Sequence, residues 1–582
     1  MVPLLSSQNN NATQSIMSSI TLRSTAAAVA VAILLANLSP FVAAEDMLAT
    51  ACGLSSHFAF KTWSGLIATH APVLFPKNDE DLKYILHEAK EGGCTVRPSG
   101  STSSAAGLIM EETLESDVVV VSLDKYVASD LNWERIMLIN EGEDDTYVRA
   151  HAGMTQLDLY SFLRPNHYFL PSNTAGFFFT LGGVMAGFVH GGTFKEGPLH
   201  DSVRSMRVML HDGSIQTIDD KEELKYWRNS YGLLGIILNV ELAVEKRLHF
   251  WSGAEPMQSL SGGWNKASFD AYISRIQGEY TAAEFFFNPH TKEVLSVVQK
   301  DLETVKGGPA SDDECGWNYR ARTCHHLDYC SYQYQFGDFT LDQSCRLIGP
   351  PTPSVETMKQ AYHRLIHENP KLGVTGIKVG DDALEKDFVS FALQSEMDRM
   401  LLDISLSAIS EQVQESSELR NDPFFVPTNL PITTPFLEYL LPKDKLFEVL
   451  NAIIALDPKL HLPIEWRLMS FGNKVSAILQ PGDIQSGEYA TIEVVSFEES
   501  DTWRSLFLEV EAIFQQAGGW PHTGKYFGMG QDSNGEVQPF ANVPNDLLYN
   551  EVQKKDFREY AEKMDPVGLF WSGFMASHIS EV

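Results

Sequence analysis

Two stretches of small residues constrain this chain more than anything else in it. They are Gly100 to Gly107 (GSTSSAAG), running on from Ser99, and Thr180 to Gly192 (TLGGVMAGFVHGG). Glycine, serine, threonine and alanine let backbone N–H groups converge on a phosphate, because no long side chain stands in the way. Two such loops, each after a strand, can enclose the pyrophosphate of a dinucleotide from both sides. No GxGxxG joins a strand to a helix, which argues against a Rossmann site. Glycine-rich turns also occur for purely structural reasons, so the loops gain meaning only from what surrounds them.

The surroundings alternate helix and strand. From Pro76 to Gly93 the spacing of Leu82, Ile85, Leu86 and Ala89 predicts a helix, with Asn78 as N-cap and Gly92-Gly93 as its stop. Strands are predicted at Thr95 to Arg97, Asp117 to Leu123 and Tyr147 to Ala152, and a second helix over Thr155 to Leu163 with Thr155 and Asp158 as a capping box. A hairpin turns at Asp212-Gly213, and Gly235 to Leu242 reads as a buried strand. Beyond residue 250 aromatics, prolines and longer loops increase. Strands are predicted at Ile464 to Ser470 and Ala490 to Ser496, then a helix from Glu551 to Met564 stopped by Asp565-Pro566, and a strand-like run from Gly568 to Phe574. The whole reads as α+β.

The 76 acidic and 44 basic residues leave a formal charge of −32, which repels phosphate backbones and argues against nucleic acid as a partner. At the N-terminus Arg23 precedes the apolar run Thr25 to Leu38, followed by Pro40 and Ala43-Ala44. Residues 1–44 therefore read as a leader, either a cleaved secretory signal or a membrane anchor, and imply a secreted or anchored protein. Of the six cysteines, Cys315, Cys324, Cys330 and Cys345 cluster in a segment, 310–346, with a poor core-forming pattern. Two disulfides stapling an insertion are expected there. His325 and His326 raise a metal alternative, but no CxxC pair or common zinc spacing supports it, and no metal site is expected. Cys94 is expected to face the core.

Order supplies what composition lacks. The run from Arg97 through Ser99-Gly100-Ser101-Thr102-Ser103-Ser104 to Gly107, after a helix, Gly-Gly and a strand, resembles the first flavin loop of the vanillyl-alcohol-oxidase/p-cresol-methylhydroxylase superfamily. Thr180, Gly182, Gly183, Gly187 and His190-Gly191 resemble that family's second loop. Asp201, Val203 and the Asp212-Gly213 hairpin follow in family order, and Gly232 to Ile237, including Gly235, resembles the segment that holds the adenine end. The resemblance implies FAD as cofactor, a two-lobed FAD-binding domain over residues 67–247, and a cap domain with a large antiparallel sheet over residues 248–545. It also implies a terminal segment, 546–582, that returns to the flavin domain. Many family members carry a histidine that bonds covalently to the flavin where this chain has Ser103, so FAD is expected to be held without a covalent bond. Thr102 replaces a usual glycine.

Three later matches narrow the group. Glu465-Trp466-Arg467 resembles the Glu-x-Arg strand of aldonolactone and alditol oxidases, Gly518 to Lys525 (GGWPHTGK) their GGxPHxxK segment, and Phe557 to Phe570 their closing helix and turn. Alternation puts Glu465 and Arg467 on one face of a strand. There the carboxylate can orient or deprotonate a substrate hydroxyl, and the guanidinium can hold developing negative charge. Lys525 can do the same near the flavin, and His522 is a further catalytic candidate. The implied reaction is oxidation of an aldono-1,4-lactone, or of a related alditol, with oxygen or another electron acceptor reoxidising the flavin. A flavin-free secreted sugar-binding protein of the same fold is the rival from another class. A GxSxG hydrolase elbow is missing from the sequence.

Overall fold

The computed structural model describes residues 49–301 and 435–580, less short internal stretches, together with the two-residue strands Thr340–Leu341 and Leu347–Ile348. The leader 1–44, Gly107 and the cysteine cluster of 310–346 lie outside the described residues.

Besides two short two-stranded sheets, the N-terminal part holds, among the described residues, two larger ones. In the smaller one, β1 (Ala59–Lys61), β2 (Ala68–Leu74), β3 (Thr95–Ser99) and β4 (Val118–Ser122) lie in the order β1-β2-β4-β3, with β4 parallel to both β2 and β3. The parallel pairing needs a crossover, and α1 (Asp79–Gly92) supplies one. Its Asn78 side chain accepts from Asp81 N–H, Gly93 closes it at φ +76°, and its buried face is Leu82, Ile85, Leu86 and Ala89. The second sheet comprises β5 (Ile136–Ile139), β6 (Tyr147–His151), β7 (Val203–Met209), β8 (Ile215–Ile218) and β9 (Ile236–Ala243), in the antiparallel order β8-β7-β9-β6-β5. Between β6 and β7 come α2 (Gln156–Leu163) and α3 (Leu181–Ala186). Thr155 and Asp158 exchange the hydrogen bonds of the expected capping box at the start of α2.

Among the described residues, the later part is built on an antiparallel sheet of seven strands. It comprises β10 (Phe250–Ser259), β11 (Ala282–Asn288), β12 (Glu293–Asp301), β13 (Phe436–Pro442), β14 (Ile464–Phe471), β15 (Gly487–Val495) and β16 (Trp520–Pro521), ordered β10-β12-β11-β14-β15-β13-β16. Helices α4 (Lys266–Glu279), α5 (Leu446–Ile454) and α6 (Trp503–Gln516) turn buried apolar faces to the core. Trp466 stacks on Phe285 with ring centroids 5.2 Å apart and meets Phe269 of α4, and Tyr439 stacks on Phe514 of α6. Because side chains alternate along a strand, the residues between these point to the opposite face, which carries the charged groups described below.

One expectation holds with an addition, and one needs correction. Cys94 faces the core as expected, and it is also bonded to Cys52, so it braces the segment before β1 against the end of α1. The pairing brings Cys52 against Gly92, where a Cβ would lie 2.5 Å from the Cys52 Cβ. Gly568 to Phe574 is not a strand. Gly568 and Gly573 take φ of +69° and +82°, and Asp565 accepts from Phe570 N–H at 2.7 Å, so the run folds into a turn after α7 (Glu551–Met564) and before α8 (Phe574–Ser580). Its extended look has a physical source: Leu569 C=O accepts from Val96 N–H on β3 at 2.7 Å.

That turn meets Arg97, whose side chain is fully buried. Its guanidinium donates to Phe570 O at 2.9 Å, Tyr231 O at 2.7 Å, Leu108 O at 3.0 Å and Gly232 O at 3.4 Å. Burial pulls its pKa down to about 10, still well above neutrality, so it remains charged. Each buried acceptor left unmade costs roughly 1–3 kcal/mol. Arg97→Met is therefore expected to lower the melting temperature by many degrees and to release flavin at lower temperature. Arg97→Lys, which keeps some donors, should fall between. Calorimetry with flavin fluorescence checks this, and equal melting for all three proteins would contradict it.

Candidate active site

The two small-residue loops meet. Thr180 N–H donates to Ser101 Oγ at 3.2 Å, and a Cβ at Gly100 would lie 2.1 Å from Thr180 Oγ1, so only glycine fits there. Gly182 packs on Ala152, where a Cβ would stand 3.0 Å from that residue's own, and Gly183 faces Thr180 Oγ1. Among the described residues, the N–H groups of Thr102, Ser103 and Ser104 have no backbone carbonyl as acceptor. Free donors on a loop clasped by a second loop fit the anionic pyrophosphate of a dinucleotide. Ser103 Oγ donates to Ser101 O at 3.3 Å, a use that keeps the hydroxyl within its own loop. Gly187 ends α3, and Gly191 follows it into the cap-facing stretch. Gly235, at φ +151°, and buried Ile237 lie at the start of β9, where a Cβ on Gly235 would strike Met209 O at 2.7 Å.

Thr102 is buried and sits at φ +55°, the left-handed region. Cβ crowding there costs an L-residue roughly 1–2 kcal/mol, and more is expected when the residue is β-branched. Thr102→Gly removes that strain and loses roughly 0.5–1 kcal/mol in chain entropy. A small rise in melting temperature is expected. A fall would show that the threonine side chain contributes more than its backbone costs.

The charged face of the large sheet lies against the second loop. Strand pairing sets Glu284 on β11 opposite Arg467 on β14, Glu465 opposite Glu493 on β15, and Glu493 opposite Glu438 on β13. Arg467 donates to Glu284 through Nε at 3.0 Å, and its Nη2 also pairs with Glu284 and with Glu465. Lys525 Nζ lies 3.3 Å from Glu493. Gly192 closes on this face: a Cβ there would lie 2.6 Å from Ala283 O and 3.7 Å from Arg467 Cδ. From the other side Gly524 brings the His522–Lys525 segment toward the first loop, with Ser104 Oγ 3.8 Å from where a Gly524 Cβ would stand. The structure thus brings Glu465, Arg467, His522 and Lys525 together with the ends of both loops.

Burial decides the protonation states. It raises Glu465 well above the usual carboxylate range, with Glu284 and Glu493 adding to the rise against the pull of Arg467. Burial likewise raises Glu493, helped by Glu438 and opposed by Lys525. Glu438 is buried too, but His190, His522 and Lys525 outweigh the desolvation and hold it well below the usual range. Burial lowers His522 to about 3, so it is neutral, and its Nδ1 accepts from Gly524 N–H at 3.1 Å. Arg467 stays charged: burial opposes this, and the four surrounding glutamates overcome it. Burial and acidic neighbours therefore favour the protonated form of Glu465. Of the two roles its sequence position suggested, orienting a hydroxyl suits it better than taking a proton alone.

Sequence reasoning missed Glu284, Glu438 and Glu493, and treated His190 only as part of a loop. A signal was available. Each of these glutamates is the lone acid in an otherwise apolar strand core: AAEFFFN, FLEYLLP and TIEVV. An acid in such a run is buried at a cost unless partners await it.

Comparison with known proteins follows this geometry. Residues 71–219 match the family model described as FAD binding domain, and residues 395–578 match the model described as D-arabinono-1,4-lactone oxidase. A D-arabinono-1,4-lactone oxidase of Candida glabrata is 21% identical over 248 residues, covering 41% of this chain and 43% of that protein. A phospholipid–sterol O-acyltransferase of Arabidopsis thaliana is 46% identical over only 48 residues, 8% of each chain. The matches thus span less than half the length of these curated relatives. Among solved structures, a cholesterol oxidase from B. sterolicum superposes with a TM-score of 0.60 at 16% identity, over 90% of this chain and 96% of that one. At that identity the likeness speaks for the fold.

Proposed function

We propose that this chain, an FAD-dependent oxidoreductase of the vanillyl-alcohol-oxidase/p-cresol-methylhydroxylase type and aldonolactone-oxidase-like, oxidises an aldono-1,4-lactone, with oxygen or another acceptor receiving the electrons. The observation that carries this reading is the Glu465–Arg467–Glu284 group on the sheet face that the second loop closes with Gly192. When bound, FAD supplies the hydride acceptor. Ser99 to Ser104 and the Thr180–Gly191 stretch would hold its pyrophosphate through backbone donors, and Gly235 and Ile237 its adenine end. With Ser103 where a tethering histidine would stand, FAD is held non-covalently.

Arg467 and Lys525 hold positive charge where a lactone carbonyl or a developing anion needs it. Glu465 orients the reacting hydroxyl by a hydrogen bond. The Glu465–Glu284 pair, already sharing a hydrogen bond, takes up the hydroxyl proton. His522, neutral and held by Gly524, lines the same side. The leader 1–44 is read as routing the chain into the secretory pathway, secreted or membrane-anchored; its apolar run behind Arg23 supports this.

A substrate panel tests the reading. The yellow protein is expected to be reduced by aldono-1,4-lactones in preference to open-chain alditols and a sterol, with peroxide formed or a dye acceptor reduced, and acid precipitation should leave the flavin in the supernatant. Reduction by the sterol alone would overturn the substrate assignment. Glu465→Gln and Arg467→Ala should each keep FAD but lose flavin reduction. For Arg467→Ala, losing a charge-stabilising donor costs roughly 2.7–4 kcal/mol of barrier. Near-native reduction of both variants in anaerobic stopped-flow would remove these residues from the mechanism.

A further inference from the structure

We propose that His190, Glu438 and His522 bind one divalent transition-metal ion of the zinc class. Their ligand atoms all lie within 4.8 Å of one another, and they come from three separate segments: the second loop, β13 and the turn after β16. His190 Nδ1 lies 3.1 Å from Gly191 O. A carbonyl only accepts, so Nδ1 is the donor there, and Nε2 is the ring nitrogen left to meet a ligand. Nε2 faces Glu438 Oε1 at 3.0 Å. Two electron-rich atoms that close need a cation between them, either a proton or a metal ion. A ring nitrogen fixed by a backbone carbonyl is also how metal-bound histidines are usually oriented.

The charge inventory points the same way. Glu284, Glu438, Glu465 and Glu493 share this face with Arg467 and Lys525. Carboxyl side chains outnumber Arg and Lys there by two, the composition of a face that can take a divalent ion. Lys525 is paired with Glu493, which limits its repulsion of an ion at Glu438. Phe188 lies 6.0 Å from each of the two imidazole rings and packs against Trp520, giving the cluster an apolar wall. Coordination through His522 Nε2 moves that ring's proton to Nδ1 and ends the Gly524 bond. Gly524 leaves room for the adjustment, since a Cβ there would already press on the ring at 3.1 Å. Imidazole and carboxylate suit Zn²⁺, and three protein ligands leave a position for water or a substrate oxygen. The site does not depend on the lactone reading: a chain that oxidised another alcohol would carry it equally.

The test uses the purified flavoprotein, stripped with a chelator, dialysed and titrated with Zn²⁺ and with Co²⁺ by calorimetry and absorption. One equivalent per chain is expected, with Co²⁺ bands beyond the flavin absorption and no thiolate charge-transfer band. Glu438→Gln and His190→Asn, checked for retained FAD, should bind at least tenfold more weakly. The proposal is overturned if the wild-type protein takes up no ion, or if FAD-loaded variants bind as well as the wild type. A thiolate band would overturn it equally, by placing the ion on the cysteines. If a variant loses FAD, the wild-type stoichiometry and Co²⁺ spectrum decide.

Discussion

The buried guanidinium of Arg97 organises the molecule around its flavin lobe. It stands on β3, immediately before the first loop, and donates to carbonyls at Leu108, Tyr231, Gly232 and Phe570. One side chain thus connects the far end of the first loop, the turn before β9 and the terminal segment. A hydrophobic residue would fill the same volume without specifying which backbone groups meet. Directional donors do specify it. The glycine at 232, with φ +71° and packed against Pro98, lets the chain approach closely enough to be reached.

The charged face of the large sheet poses the opposite problem. There the fold buries an excess of acid and must supply protons or cations to match. Arg467 is held among four glutamates, Lys525 takes one of them, and His190 takes another. Clusters of this kind are expensive to desolvate and seldom arise for stability alone, which is why perturbed groups in a closed face mark chemistry.

Much of this was legible in the chain itself. Local signals placed α1 with its caps and gave the α7 limits the structure shows, because periodicity and capping are decided within a few residues. The loops, Glu465 and Arg467 were found through order of motifs. The Cys52–Cys94 pair was not foreseen, since nothing local says which cysteines approach across a 42-residue separation. Nor was the turn at Gly568: its residues look extended because they lie along the edge of β3, a contact set by the tertiary fold. Glu284, Glu438 and Glu493 each stand out as an acid in an apolar run, but which groups they meet is fixed only by strand pairing.

The alternation along β14 carries a consequence of its own. Trp466 and Leu468 fill the core while Glu465 and Arg467, their immediate neighbours, face the site. Sliding the strand by one residue would bury both charges among Phe285, Ile492 and Val494 and expose the tryptophan. Errors in pairing and errors in chemistry are therefore the same event, so a misthreaded sheet cannot survive as a folded but inactive protein. A change in what the site recognises is then cheapest in the segments that border the sheet, where no strand register is at stake.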